Sequence, residues 1–158
     1  MKGRTFRREA YGFTYLWTLA LLAVVSIGLA AVGPMWSREL QREREQELLR
    51  VGVLYAQAIE SYYRVSPGAV KSLPTSLDQL VLDTRFVGMI RHLRRIYTDP
   101  TNPGQPFAIL RAPEGGVIGV ASQNTARPLM QTAWSDGRHA LAPAEHYSDW
   151  QFLAKVEP

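Results

Sequence analysis

The residues of this chain that could perform acid–base or metal chemistry include three histidines. His92, His139 and His146 show none of the spacings at which histidines bind a metal together. The chain has no cysteine, which excludes thiol nucleophiles, thiolate metal sites and disulfides. No serine lies in a nucleophile elbow, and the glycine-rich stretch at 114–119 lacks the lysine and the hydroxyl of a phosphate loop. The sequence therefore predicts a protein that is not an enzyme and that needs no cofactor.

The formal net charge of +4 is concentrated at the start of the chain. Within the first twelve residues, one glutamate accompanies four basic residues, Lys2, Arg4, Arg7 and Arg8. The rest of the chain is nearly neutral and offers no positively charged surface of the kind that binds phosphate backbones. No nucleic-acid partner is predicted.

An uncharged stretch follows, from residue 10 to residue 37. Its strongly apolar part, 13–36, would be about 36 Å long as a helix, which is enough to cross about 30 Å of hydrocarbon and too long for the apolar region of a signal peptide. Trp17 and Trp36 lie near its ends, as interfacial anchors do, and the preceding basic residues orient the N-terminus toward the cytoplasm. The sequence predicts a single-pass protein of a bacterial inner membrane, with a transmembrane segment at 13–36 and a periplasmic domain at 37–158.

The junction before this stretch carries a distinctive pattern. A short basic leader ends in Gly12 and continues with Phe13, Thr14 and Leu16. The pattern resembles the N-terminus of type IV pilins and type II secretion pseudopilins, and Pro34 lies where such pilins often have a helix kink. In that family a prepilin peptidase cuts after the glycine and methylates the new N-terminal residue. The resemblance implies a leader at 1–12, cleavage between Gly12 and Phe13, and methylation of Phe13.

The chain departs from the family at Trp17. Pilins usually have a glutamate at this position, which neutralises the terminal amine of a neighbouring subunit in the filament. A buried ammonium group without a partner is costly, and some minor pseudopilins at filament tips also lack the glutamate. Trp17 is therefore the position at which assembly of this chain is expected to differ from that of an ordinary shaft subunit.

After the apolar stretch, the helical pattern continues. Apolar residues three and four positions apart form one stripe, and "SPG" at 66–68 ends the pattern. The sequence predicts a helix over 13–64, apolar in its first half and amphipathic in its second. The stripe consists of Leu48, Val51, Tyr55, Ala58, Ile59 and Tyr62.

The rest of the chain, after residue 64, is predicted to contain only short elements. A short capped helix is predicted from Ser76 to about Asp83, and a second helical piece at about 87–93. "FAILR" and "GVIGVAS" flank a turn at 112–116, and alternation near the end of the chain predicts a third strand. The predicted fold class is α+β: a long N-terminal helix, with a transmembrane first half and an amphipathic second half, packed on a small antiparallel sheet in a pilin-like arrangement.

Two charged stretches allow either of two interpretations. At 38–47, arginines and glutamates alternate at helical spacing, as on a solvated helix face or in charge pairing between subunits. The arginine cluster further on is either a solvated face or a patch that docks a partner. This cluster consists of Arg85, Arg91, Arg94 and Arg95.

The loop at 93–107 also resembles the family. Major pseudopilins have an apolar residue, a basic pair and then Asp-Pro, which here correspond to Leu93, Arg94, Arg95, Asp99 and Pro100. They often bind calcium in a C-terminal loop. The corresponding stretch offers Asp136 and Asp149 as candidate ligands, but its carboxylates are scattered, and calcium prefers several close together. No metal site is predicted, and calcium at these two residues remains the alternative.

The resemblance implies a pseudopilin-like filament subunit of a type II secretion system. Its partners would be the prepilin peptidase, other pseudopilins or pilins in a homo- or hetero-filament, and an inner-membrane assembly platform. Two alternatives remain open. One is a minor type IV pilin, and the other is an uncleaved single-pass periplasmic scaffold or binding protein.

Overall fold

The computed structural model describes residues 11–156, and it gives the surroundings of the side chains at 13–28 and 36–156. The described chain divides into two compact units, the first ending at residue 40 and the second beginning at residue 41. One helix, α1 (Tyr11–Arg64), begins in the first unit and ends in the second. The hydrophobic core lies in the second unit.

The first unit contains the apolar start of α1. Among the described residues, no helix is both long enough and apolar enough to pass through a membrane. The predicted transmembrane segment at 13–36 and the predicted single-pass inner-membrane location are therefore wrong, and so is the transmembrane part of the predicted fold class.

In the second unit, α1 buries one stripe of side chains against the rest of the fold. Leu48, Tyr55 and Ile59 are completely buried, and Val51 and Tyr62 are nearly so. Their spacing of three and four residues keeps them on one side of the helix. This stripe is the α-helical half of the core.

The end of α1 is fixed by a side chain from the following loop. The Lys71 Nζ donates to the carbonyls of Arg64, at 2.9 Å, and Ser66, at 3.4 Å. Carbonyls in the last turn of a helix have no intrahelical partner, so this lysine satisfies groups that would otherwise need water.

A three-stranded antiparallel sheet provides the other half of the core. Strands β1 (Ala108–Arg111) and β2 (Val117–Ala121) form a hairpin, and β5 (Gln151–Leu153) pairs with the other edge of β2. The register places Val120 opposite Ile109 and Phe152. The hairpin, its turn at 112–116 and the third strand confirm the predictions from turn residues and alternation.

The sheet packs closely on α1 at one glycine. A methyl group added at Gly52 would overlap the ring of Phe152. Gly52 is therefore required by the close approach of β5 to the helix, although glycine is a poor helix former.

A second hairpin lies between β2 and β5. It consists of β3 (Trp134–Ser135) and β4 (Ala140–Leu141), paired antiparallel. A 3₁₀ helix, Tyr147–Asp149, then leads into β5. The sequence did not predict β3, β4 or the 3₁₀ helix, because elements of two or three residues are too short to show a periodic pattern.

The short helices predicted between 76 and 93 are largely wrong. Helix α2 contains only Asp78–Val81. Gln79, the predicted capping partner of Ser76, instead accepts hydrogen bonds from the amide of Thr75, at 2.8 Å, and the hydroxyl of Tyr62, at 3.1 Å. A tertiary contact with α1 has taken the place of the local cap.

The predicted helical piece at 87–93 is a closed loop. The amide of Asp83 donates to the carbonyl of Ile90 at 3.0 Å in an isolated antiparallel bridge. The amides of His92 and Leu93 both donate to the carbonyl of Leu80 at 2.8 Å. Residues 83–92, called here the 83–92 loop, are thus held at both ends.

Candidate functional site

The start of α1 exposes an unusual amount of apolar surface. Every residue described from 13 to 28 is exposed, and this includes ten large apolar side chains. Two hydroxyls of this segment bond to the helix itself: Thr18 Oγ1 donates to the carbonyl of Tyr15 at 2.8 Å, and Ser26 Oγ donates to that of Leu22 at 2.7 Å. Soluble monomers rarely expose a continuous apolar surface of this kind, and such surfaces are typical of interaction sites.

Two of the residues singled out in the sequence lie on this surface. Phe13, the predicted methylation site, is 74% exposed, and Trp17, at the position of the family glutamate, is 69% exposed. The predicted leader at 1–12 begins outside the described residues. The surroundings of Gly12 and Pro34 are not described either, so cleavage at Gly12 and a kink at Pro34 stay predictions.

The 83–92 loop is built on a buried ion pair. Asp83 is completely buried, and the Arg85 guanidinium binds both of its oxygens, with Nη2 at 2.7 Å and Nε at 2.9 Å. The same guanidinium lies 3.4 Å from the centre of the Tyr62 ring and donates to the Ser66 hydroxyl at 2.8 Å. His92 completes the cluster, with Nε2 3.3 Å from Asp83 and Nδ1 2.9 Å from the hydroxyl of Ser61.

This cluster has a direct electrostatic consequence. The hydrogen bonds from Arg85 lower the pKa of the Asp83 carboxyl from its ordinary value of 3.8 to about 2, although burial acts in the opposite direction. Asp83 is therefore a carboxylate at neutral pH, and its charge fixes Arg85 against α1.

The predicted arginine cluster is divided by the fold. Arg85 points inward to Asp83, and Arg95 lies over the Tyr97 ring at 5.0 Å. Arg91 and Arg94 are exposed, and within the described part of the chain neither side chain has a hydrogen bond or an ion pair. The sequence pattern could not separate these roles, because Asp83 and Tyr62 come into contact with Arg85 only in the folded chain.

The two candidate calcium ligands are used locally. Asp136 accepts from the amides of Arg138, at 2.8 Å, and His139, at 2.6 Å, and these bonds lower the pKa of its carboxyl. Asp149 accepts from the amide of His146 at 3.0 Å. Across the described residues, no group of three or more His, Cys, Asp or Glu side chains is arranged to hold a metal.

His139, which the sequence left without a role, joins its own hairpin to α1. Its Nε2 lies 3.0 Å from a carboxylate oxygen of Glu60 on α1, and its Nδ1 lies 3.4 Å from Asp136 in its own hairpin. The same Glu60 oxygen accepts from the amide of Lys155, just after β5, at 2.9 Å. Glu60 therefore connects α1 to both the β3–β4 hairpin and the C-terminal strand.

Two further buried carboxylates were not singled out by their sequence context. Glu45 accepts from the amides of Leu129 and Met130 and from the Tyr147 hydroxyl, the last at 2.6 Å. Burial and this bond to a carboxylate both raise the pKa of Tyr147. Nothing in the run of alternating charges at 38–47 distinguishes Glu45 from its exposed neighbours, except its place three residues before the first buried leucine.

Asp99 is the second of these buried carboxylates. It belongs to the Asp-Pro segment that resembles the pseudopilin signature. Its Oδ1 accepts from the amide and hydroxyl of Thr101, at 2.8 and 2.7 Å, and its Oδ2 accepts from the Ser122 hydroxyl at 2.5 Å. Asp99 thus ties the proline-rich loop to the end of β2.

Comparisons of the chain with protein-family models, with curated proteins and with solved structures found no match.

Proposed function

We propose that this chain is a pilin-like filament subunit, of the pseudopilin kind found in type II secretion systems. The observation that carries the proposal is the exposed apolar surface of α1 at 13–28, which has no cover within the described residues. A surface of this kind is stabilised when other subunits remove it from water, at roughly 25 cal/mol per Å² of apolar area.

The distribution of apolar residues along α1 is compatible with a filament. Its later residues are already buried against the sheet, and its earlier residues are exposed. Copies that cover one another's exposed segments through unlike surfaces make a heterologous contact, which repeats without closing and produces a helical assembly.

A minor, tip-located subunit is the second candidate, and Trp17 favours it. The side chain is exposed and carries no charge, so it cannot neutralise the terminal amine of a neighbour in the way the family glutamate does. In this version of the proposal the chain is a minor pseudopilin or minor type IV pilin that assembles with other subunits at the filament tip.

The intact mass of the protein tests the proposal. Full-length chain is produced with and without a prepilin peptidase, and the intact mass of the protein in each sample is measured by mass spectrometry. We expect loss of residues 1–12 and gain of one methyl group on Phe13 only when the peptidase is present. A full-length mass in both samples would contradict the pilin-like assignment and favour the alternative of an uncleaved scaffold or binding protein.

A Gly12→Ala variant provides the matched control. It leaves the composition of the leader unchanged apart from one methyl group, and it adds a side chain at the residue that the peptidase must accommodate. We expect this variant to keep its full-length mass in the presence of the peptidase. Cleavage at another position would contradict the assignment of the junction.

A further inference from the structure

His139 is buried between two carboxylates, one at each nitrogen of its ring. Nε2 lies 3.0 Å from an oxygen of Glu60, and Nδ1 lies 3.4 Å from Oδ2 of Asp136. The same Glu60 oxygen already accepts from the amide of Lys155. The hydrogen bonds that Asp136 accepts from the amides of His139 and Arg138 lower the pKa of its carboxyl, which keeps it ionised. Both ring nitrogens therefore face groups that accept and do not donate.

The number of hydrogen bonds that this ring can make depends on whether it is protonated. A neutral imidazole has one N–H group and one lone pair, whereas an imidazolium has two N–H groups. In either neutral form, one ring nitrogen directs its lone pair at a carboxylate oxygen. The imidazolium instead donates to Glu60 and to Asp136, and its charge lies between two negative charges. Histidine is the side chain whose charge ordinarily changes between about pH 5 and pH 8.

The other charged groups near the ring do not replace its proton. Lys155 meets Glu60 only through its backbone amide, and its side chain is exposed. Arg64, one turn after Glu60 on α1, and Arg138, next to the ring, are exposed as well. In the described part of the chain, none of these three cationic side chains pairs with Glu60 or Asp136. The ring is therefore the group whose charge compensates these two carboxylates.

The other two histidines are not placed in this way. His92 has Asp83 at Nε2, 3.3 Å away, but at Nδ1 it has the hydroxyl of Ser61, 2.9 Å away. That hydroxyl can donate, so a neutral ring satisfies both contacts. His146 is exposed, and its Nδ1 lies 2.6 Å from the carbonyl of Thr125, which a neutral ring with its proton on Nδ1 also satisfies.

The ring holds a small element against the core. His139 immediately precedes β4, and Leu141 of that strand is buried in the core. Trp134 of β3 is partly buried and packs against the same core. The two strands are only two residues long, so the hairpin has few backbone bonds of its own. A change in the bonds of His139 should therefore alter how often the hairpin opens, while the three-stranded sheet stays closed.

We propose that His139 is a pH-dependent switch, which holds the β3–β4 hairpin on α1 when its ring is protonated and loosens the hairpin when the ring is neutral. The closed hairpin gives the imidazolium two carboxylate partners that the open hairpin does not hold in place. Binding of a proton thus favours the closed hairpin, and a rise in pH favours opening. The inference does not depend on the proposed filament function.

Hydrogen exchange of the full-length protein tests the switch. Rates at about pH 5.5 and about pH 8, on either side of the ordinary range of histidine, are divided into the intrinsic rates to give protection factors. We expect protection of the amides of Asp136 and His139, which bond across the hairpin turn, to be at least about fivefold lower at the higher pH. Protection in the β1–β2 hairpin should change less than about twofold. Equal protection of the β3–β4 hairpin at both pH values would overturn the proposal.

An Asp136→Asn variant separates the switch from a merely structural contact. Asparagine keeps an oxygen for the two amides and adds an N–H group that can donate to a neutral ring. We expect this variant to keep its hairpin protected at both pH values. His146→Gln is the matched control, since it removes an exposed histidine, and it should keep the pH dependence of the wild type. A pH dependence that persists in Asp136→Asn, or that disappears in His146→Gln, would assign the effect to another group and contradict the role of His139.

Discussion

At the scale of single residues, the cost of burying charge explains much of the second unit. Glu45, Asp83 and Asp99 are almost completely buried, and each accepts at least three hydrogen bonds. Asp83 faces a guanidinium, whereas the described partners of the other two are amides and hydroxyls. A buried carboxylate is tolerated only when it is well bonded, so each of these three fixes the loop that bonds to it.

The stability of the fold should decrease in acid because of Asp83. A carboxyl whose pKa falls to about 2 on folding, from 3.8, stabilises the fold fully above pH 3.8 and loses that contribution as the pH falls through 2. We expect this group to account for a loss on the order of 2 kcal/mol in the free energy of unfolding between about pH 5 and pH 2. Chemical denaturation of the wild type and of Asp83→Asn at a series of pH values measures it.

The acid dependence of Asp83→Asn should be flatter than that of the wild type by this amount. The control is Asp78→Asn, since Asp78 is exposed at the start of α2. Parallel curves for the wild type and Asp83→Asn would show that the ion pair with Arg85 does not stabilise the fold.

Gly52 should resist a substitution that normally strengthens a helix. Alanine in place of glycine usually stabilises a helix by about 0.5–1 kcal/mol, but here the added methyl overlaps the Phe152 ring. Overpacking typically costs about 1–3 kcal/mol, so we expect Gly52→Ala to lower the free energy of unfolding. Gly88→Ala, whose methyl meets no atom within 4 Å, should change it little. A more stable Gly52→Ala protein would contradict the close packing of β5 on α1.

Trp17 provides a test of the choice between a shaft and a tip subunit. If it marks a tip role, then Trp17→Glu restores the charge that neutralises a neighbouring amine, and incorporation into the filament should rise. The measurement is the fraction of the chain recovered in sedimented filaments, with Trp36→Glu as the control for loss of an exposed tryptophan. Equal incorporation of Trp17→Glu and the wild type would count against a role for this position.

At the scale of elements, the sequence predicted those that depend on local chemistry. The β1–β2 hairpin follows from the turn residues at 112–116, where Gly115 and Gly116 both adopt positive φ. A helical piece was predicted at about 87–93, where the structure has the end of the 83–92 loop. The structure of this loop depends on contacts of Arg85 with Asp83 and Tyr62, which no pattern within the loop predicts. The transmembrane prediction rested on hydropathy alone, and among the described residues no helix is both long and apolar enough to pass through a membrane.

The β3–β4 hairpin should depend on Glu60. Glu60 is partly buried, and removing its carboxylate leaves the amide of Lys155 and the ring of His139 without this partner, at a cost of about 1–3 kcal/mol. We therefore expect Glu60→Ala to lower the free energy of unfolding by that amount and to speed hydrogen exchange at the amides of His139 and Lys155, whose groups lie against its carboxylate. Glu43→Ala, an exposed glutamate on the same helix, should stay within about 0.5 kcal/mol of the wild type. Unchanged exchange in Glu60→Ala would show that the hairpin is held by other contacts.

At the scale of the whole molecule, the division at residue 40 implies that the second unit is self-sufficient. The core begins at Leu48, and the earliest described hydrogen bond between α1 and the loops starts at Gln41. We expect a chain that starts at residue 41 to keep the near-ultraviolet circular dichroism of the full-length protein, with an unfolding midpoint within a few degrees of it. An unfolded fragment would mean that residues before 41 contribute to the core.

The bonds along the second part of α1 also determine how the second unit would respond to force. Four side chains at successive levels of the helix bond to different loops: Glu45 to the 129–130 amides, Tyr55 to the backbone of Tyr97, Glu60 to His139, and Tyr62 to Gln79. A pull along the helix axis would load these attachments together, in shear, instead of opening them one after another. The resistance of the unit to such a pull is then a matter of its unfolding rate and not of its equilibrium stability.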